Sequence, residues 1–239
     1  MPKNIFKFAC LIISALTLLA APVFGSDQHA KITLLKGKAI VGSTVDGPWE
    51  SAEVGMKLNP GSVIKTLSNS YAEFILPDES TLRLSPESVF QIETAQFAPK
   101  KPGLFSAKLF LGKMWAKVSR SISRNRRGYF KTATRTSVCG VRGTVYDLHA
   151  FADKSTDVYV FDGSVAVGPP LIKEDADHEE MEWPQQVSEN EWEEIILGKL
   201  QQLHIGPDGK PDKPVQFDPA EKKDDWTAWN LERDALPAN

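Results

Sequence analysis

Apolar and polar residues alternate with a period of two along much of the chain between Ala30 and Val167. In "YAEFILPDESTLRLSPESVFQIE", Ala72, Phe74 and Leu76 fall on one face. A "PDES" cluster follows, Leu82 and Leu84 resume the face, and Phe90 and Ile92 come after a second cluster, "SPES". Alternation broken by Pro, Asp and Ser predicts β-hairpins. "LLKGKAIV", "FLGKMWAKV" and "VFDGSVAV" repeat the theme, each a strand pair hinged at a glycine. Gly61, Gly112 and Gly163 are evenly spaced, 51 residues apart, as in a stacked, solenoid-like layout. The reading is a mostly β fold, a β-sandwich or a short β-solenoid. Phe74, Leu76, Leu82, Leu84, Val141, Val145, Val158 and Val160 are expected in its core.

The pattern changes at both ends. Lys3 and Lys7 precede an uncharged run from Phe8 to Ser26, with Val23 and Gly25 at small-residue positions. That layout predicts a signal peptide over residues 1–25, and no later run is long enough for a membrane span. An exported protein, periplasmic or extracellular, is the expectation. The β domain should cover residues 30–168, and residues 169–190, rich in proline and carboxylates, read as a linker. Residues 191–239 form a β extension and a helix. Asp218 is placed to cap that helix, with Pro219 at its first position and Glu221 completing a capping box. Trp226, Trp229 and Arg233 then share one face, which should dock on the β body because a lone helix of this length is marginal.

Charge and chemistry narrow the function. The 239 residues hold 28 Lys and Arg against 31 Asp and Glu. After export Cys139 is the single cysteine, so no intrachain disulfide can form and the core must hold the fold. His29, His149, His178 and His204 lack zinc-site spacing, and "EDADHEE" lacks the glycine and terminal glutamate of a calcium loop, so neither metal nor cofactor is expected. "TSVCGVRGTVYD" (136–147) admits three readings. Arg135 and Arg142 could activate a Cys139 thiolate. A phosphate cradle would need a helix where "TVYDLHAF" reads as a strand. A glycine-enabled bend built from Gly140, Val141, Arg142, Gly143 and Thr144 fits better.

No Asp or Glu occurs between Thr94 and Tyr146, whereas basic residues are frequent. Lys113, Lys117, Arg120, Arg124, Arg126, Arg127 and Arg142 make a candidate binding strip for an anionic polymer, with Trp115, Tyr129 and Phe130 interleaved. The competing reading is internal pairing with the ten acids of residues 174–194.

"FKTATRTSVCGVRGTVYDLHAFADKSTDVYVFDGSVAV" resembles the core of the FecR domain. "GMKLNPGSVIKTLSNSYAEFILPDESTLRLSPES" is similar to that family's preceding segment, except that Glu79 stands where the family often has glycine. The family's namesake, an iron-transport regulator, joins a cytoplasmic sigma-factor-controlling segment through a membrane helix to a periplasmic part that contacts an outer-membrane receptor. Here a signal peptide directly precedes the β region, so direct transcriptional signalling is not expected. The resemblance implies an exported module for binding or sensing and carries over no catalytic residue. The expected function is non-enzymatic recognition or scaffolding in the bacterial cell envelope. Its partner would be an envelope polymer or a protein, with no specific nucleic acid. The alternative is an envelope hydrolase, for which Asp147, Asp153 and Asp157 are the nearest carboxylates, although hairpin carboxylates more often shape turns.

Overall fold

The structure, a computed structural model, describes residues 29–98, 103–120, 128–170, 193–222 and 224–236. The expected signal peptide and most of the acidic linker lie outside them. Among the described residues no helix is long and apolar enough to cross a membrane.

The strands form two sheets. The first runs in the order Lys57–Leu58 (β4), Ala30–Lys36 (β1), Tyr71–Ile75 (β6), Thr81–Leu84 (β7), Leu104–Lys117 (β9), Val145–Ala150 (β12), Thr156–Asp162 (β13), Gln201–Ile205 (β16) and Val215–Gln216 (β17). All its pairs are antiparallel. The second runs Trp49–Ser51 (β3), Ala39–Gly42 (β2), Val63–Thr66 (β5), Val89–Gln96 (β8), β9, Tyr129–Ala133 (β10), Val138–Val141 (β11), Val165–Gly168 (β14) and Ile195–Leu197 (β15). Its one parallel pair is β9 with β10. Strand β9 serves both sheets: residues 104–111 pair with β8, and residues 112–117 pair with β12.

Each passage between the sheets requires a sharp corner. Residues with positive φ stand at these passages: Gly37, Gly55, Gly61, Asn69, Glu87, Gly112, Gly143, Gly163 and Leu200. At Gly112 glycine is needed twice over, for its φ of 94° and because a Cβ there would lie 2.6 Å from the Ser88 Cα. The even spacing of Gly61, Gly112 and Gly163 does not mark a repeated coil. Gly61 (β4 to β5) and Gly163 (β13 to β14) lead from the first sheet to the second, whereas Gly112 leads back within β9, and the architecture is a sandwich.

The β6–β7 and β12–β13 hairpins of the first sheet share one turn design. Leu76 N donates to Ser80 O (2.8 Å) and Phe151 N to Ser155 O (3.0 Å), while Asp78 and Asp153 accept from the Ser80 and Ser155 amides. Glu79 (φ 70°) and Lys154 (φ 79°) take the left-handed position in each. Glu79 therefore adopts the conformation that glycine would adopt freely. That costs roughly 1 kcal/mol, against which the Asp–Ser bonds hold the turn.

Both sheets contribute to one apolar interior. Phe74 meets Phe90 across it at 5.5 Å, Phe105 meets Phe130 at 4.7 Å, and the Tyr146 hydroxyl shares a hydrogen bond with Thr132 Oγ1 (2.8 Å). Phe74, Leu76, Leu82, Leu84, Val141, Val158 and Val160 are interior as expected, but Val145 is not. A register shift between Val145 and Tyr146 accompanies inward placement of Tyr146, Leu148 and Ala150. The extra residue of that shift is Phe161 on β13; β12 itself alternates regularly, so Val145, Asp147 and His149 face outward.

The helix (α1) covers Asp225–Ala235 and lies on the outer face of the first sheet. It begins later than the sequence suggests. Asp218 does cap a turn, accepting from Ala220 N (2.8 Å), but that turn is not continued. Lys222 leaves the helical path to reach Asp147 (3.1 Å), and Asp224 supplies the cap actually used, accepting from Thr227 N (2.8 Å).

Candidate functional site

Cys139 alternates into the interior from β11 and is fully buried. Burial pushes its thiol up to about 12, which removes the thiolate at neutral pH. Its surroundings are those of a small apolar side chain. Of the two glycines that follow, only one makes the bend. Gly140 lies within β11 opposite Lys131 and Ala166, whereas Gly143, at φ 61°, turns the chain from the second sheet to the first. Thr144 Oγ1 locks the corner by donating to Ser164 O (2.8 Å). Arg142 is exposed and makes no ion pair among the described residues.

The basic residues do not share one surface. Because β9 changes sheets at Gly112, Lys108 and Lys131 face outward from the second sheet, while Lys113 and Lys117 face outward from the first. Lys113 Nζ lies 4.0 Å from Asp224 at the start of α1, and Lys117 Nζ lies 4.0 Å from Asp234 near its end. Lys117, Arg120 and Arg142 gather at the corner where β9 ends and β12 begins: Lys117 is opposite Val145, and the Arg120 stem packs against Gly143. Arg124, Arg126 and Arg127 lie outside the described residues. So does most of the acidic run, although Glu194 stands near enough to Lys131 to favour its charge against burial.

The densest polar arrangement lies beneath α1. Adjacent strands present Glu73, Arg83, Trp115 and Asp147 in a row across the outer face of the first sheet. All four are less than a tenth exposed. Arg83 Nε donates to Glu73 Oε2 (2.7 Å), and its Nη1 lies 2.8 Å from Asp234 Oδ1. Arg233 reaches down to both Glu73 oxygens (2.9 and 3.0 Å), and Trp115 Nε1 donates to Asp234 Oδ2 (3.0 Å). Burial opposes ionisation of Glu73, but the two guanidiniums outweigh it and lower its pKa.

Asp147 is the second anchor. It is bonded to His149 Nε2 (2.7 Å), Lys222 Nζ (3.1 Å) and Trp226 Nε1 (2.9 Å). Burial would raise its pKa, yet these three partners together hold the carboxyl at about 2. The Lys222 ammonium also sits 3.2 Å over the Tyr159 ring. Between the anchors Tyr71 stacks with Trp226 (6.1 Å) and meets Trp229 at 4.9 Å, and Trp115 packs on Phe161 at 4.4 Å. An aspartate beside a histidine can orient a general base. Here its oxygens are occupied by the lysine and the indole that close the face, and Asp147 and His149 are both buried.

The other hairpin carboxylates have structural partners. Asp153 braces its turn, and Asp157 holds His204 Nδ1 (2.6 Å) and the Tyr159 hydroxyl (3.2 Å) beside an open hollow of about 330 Å³. Among the described residues no group of three His, Cys, Asp or Glu side chains is placed to hold a metal ion. The sequence pattern indicated the docking face of α1, but named Asp147 only as a hairpin carboxylate and did not single out Glu73, Arg83 or Lys222. Outward positions in a strand read as solvated, and the available signal was a tail whose aromatic and basic face needed a complementary surface.

A family model described as FecR protein matches residues 62–166, which run from the start of β5 into β14. Two crystal structures of candidate anti-sigma factors from Parabacteroides distasonis ATCC 8503 resemble the fold. One is 18% identical with a TM-score of 0.50, covering 70% of this chain and 64% of that one. The other is 16% identical with a TM-score of 0.48, covering 65% and 60%. The chain thus spans under two thirds of the length of either, and the likeness to the first is one of fold. Among curated proteins none matches.

Proposed function

We propose, from the premise that residues 62–166 form a FecR region, that the chain is an exported, non-enzymatic sensing or scaffolding module of the bacterial cell envelope. It recognises an envelope polymer or a protein partner. The observation that supports recognition is the convergence of Lys117, Arg120 and Arg142 at one corner, directly before the segment that carries Arg124, Arg126 and Arg127. Three cations at one corner, followed in the sequence by three further arginines, suit a polyanionic surface. The non-enzymatic part rests on the buried thiol of Cys139 and on the closure of the Asp147–His149 pair by Trp226 and Lys222.

The test is retention of the mature protein on immobilised envelope extract at low and high salt. Retention should fall as salt rises and should fall again in an R124A/R126A/R127A variant. Equal retention of parent and variant at every salt concentration would refute binding through this corner. Turnover of an envelope component that disappears in Asp147→Asn would favour the hydrolase instead.

A further inference from the structure

The contacts of the C-terminal segment set it apart from the rest of the fold. Among the described residues the interior shared by the two sheets contains none beyond Ile205, and α1 contributes nothing to it. The helix belongs to a second cluster, in which Trp226, Trp229 and Phe217 meet Trp115, Phe161, Tyr71, Val145 and Tyr159 on the outer face of the first sheet. Its attachment is electrostatic at both ends, through Lys222 at Asp147 and through Arg233 and Asp234 at Glu73 and Arg83. Eleven residues make a helix too short to persist alone. A segment held by its own aromatic cluster and by ion pairs, over a face the interior does not share, can leave without opening the core.

We propose that the outer face of the first sheet is a binding platform whose resident occupant is this chain's own segment 218–236. Its external ligand would be a helical segment of a protein partner carrying an aromatic ring beside a lysine or arginine. The chemistry of that partner follows from what the resident satisfies. Asp147 needs a cation and an N–H donor, Glu73 needs a guanidinium, and Tyr71 offers a ring to stack on. The resident competes as a tethered ligand at high effective concentration, so the free chain is masked until a tighter segment displaces it. This deepens the reading of the chain as a binding module, but the masking can be tested without a natural partner and without the basic corner.

The probe is a fluorescent synthetic peptide with the sequence of residues 218–236, titrated by anisotropy into the full mature chain. Parent chain should bind it weakly. A Trp226→Ala/Arg233→Ala chain, altered in the resident but not in the platform, should bind it on the order of ten-fold more tightly. Adding Asp147→Asn to that variant should cancel the gain. Equal binding to parent and double variant overturns the proposal. So does loss of the cooperative urea transition in the double variant, which would make the helix integral to the fold. Concentration-dependent dimerisation of the parent by exchanged tails would name a second copy as the ligand and overturn the partner assignment.

Discussion

Two regions of this molecule exclude water by opposite means. Between the sheets, Phe74, Leu82, Leu84, Phe90, Leu148 and Val158 close an apolar space in which non-directional burial supplies the free energy. Beneath α1, a row of Glu73, Arg83, Trp115 and Asp147 is closed by groups of matching charge and donor geometry. Burying charges costs free energy that their pairing largely offsets, so the ion pairs add directional fit with little net stability, and the rings of Trp226, Trp229 and Phe217 supply the apolar burial that holds the segment. The first can hold a fold; the second can recognise a segment and release it.

Truncating a side chain in each region should separate the two. Phe74→Ala should cost about 4 kcal/mol and shift the urea midpoint of the whole chain, since a large ring is removed from a close-packed interior. Arg83→Ala should cost about 3 kcal/mol by leaving Glu73 and Asp234 without their central partner. Its mark is increased amide exchange in α1 before any change in the interior strands. A global loss of protection in Arg83→Ala would merge the two regions into one.

Acid provides a graded version of the same test. With a folded carboxyl at about 2, Asp147 lies below its unfolded value, so its contribution is complete above about pH 4 and lost as pH falls through about 2. The size is about 2 kcal/mol, and the lowered Glu73 acts in the same direction. Denaturation at fixed urea should therefore steepen below pH 4 in the parent and be flatter in Asp147→Asn. The smallest effect is expected at Cys139: replacement by alanine should cost about 1 kcal/mol and leave binding unchanged. In the native parent the thiol should react with a disulfide reagent only as fast as the chain unfolds.

Much of the interior was legible because alternation in "YAEFI" and "TLRL" reports one buried face directly. Val145 broke the expectation because β12 alternates without interruption and its inward set is Tyr146, Leu148 and Ala150, so the apolar Val145 takes the opposite face. Corners at Asn69, Glu87 and Leu200 were hidden for a related reason: side chains other than glycine tolerate positive φ when surrounding strands impose it. The helix was foreseen with its docking face, yet its start was placed at Asp218 when a second capping aspartate, Asp224, lay six residues on. Only the position of Asp147 under Lys222 decides between them. Charged platform residues were missed because a sequence shows that Glu73 and Arg83 point outward but not that something lies on top of them.

The sandwich and α1 should open as separable units, and native-state hydrogen exchange measures that directly. Amides of residues 228–235 should exchange through a local opening, accelerated by added salt, while those of β9 and β12 exchange only with global unfolding. Identical, salt-independent opening free energies for the helix and the interior strands would contradict it.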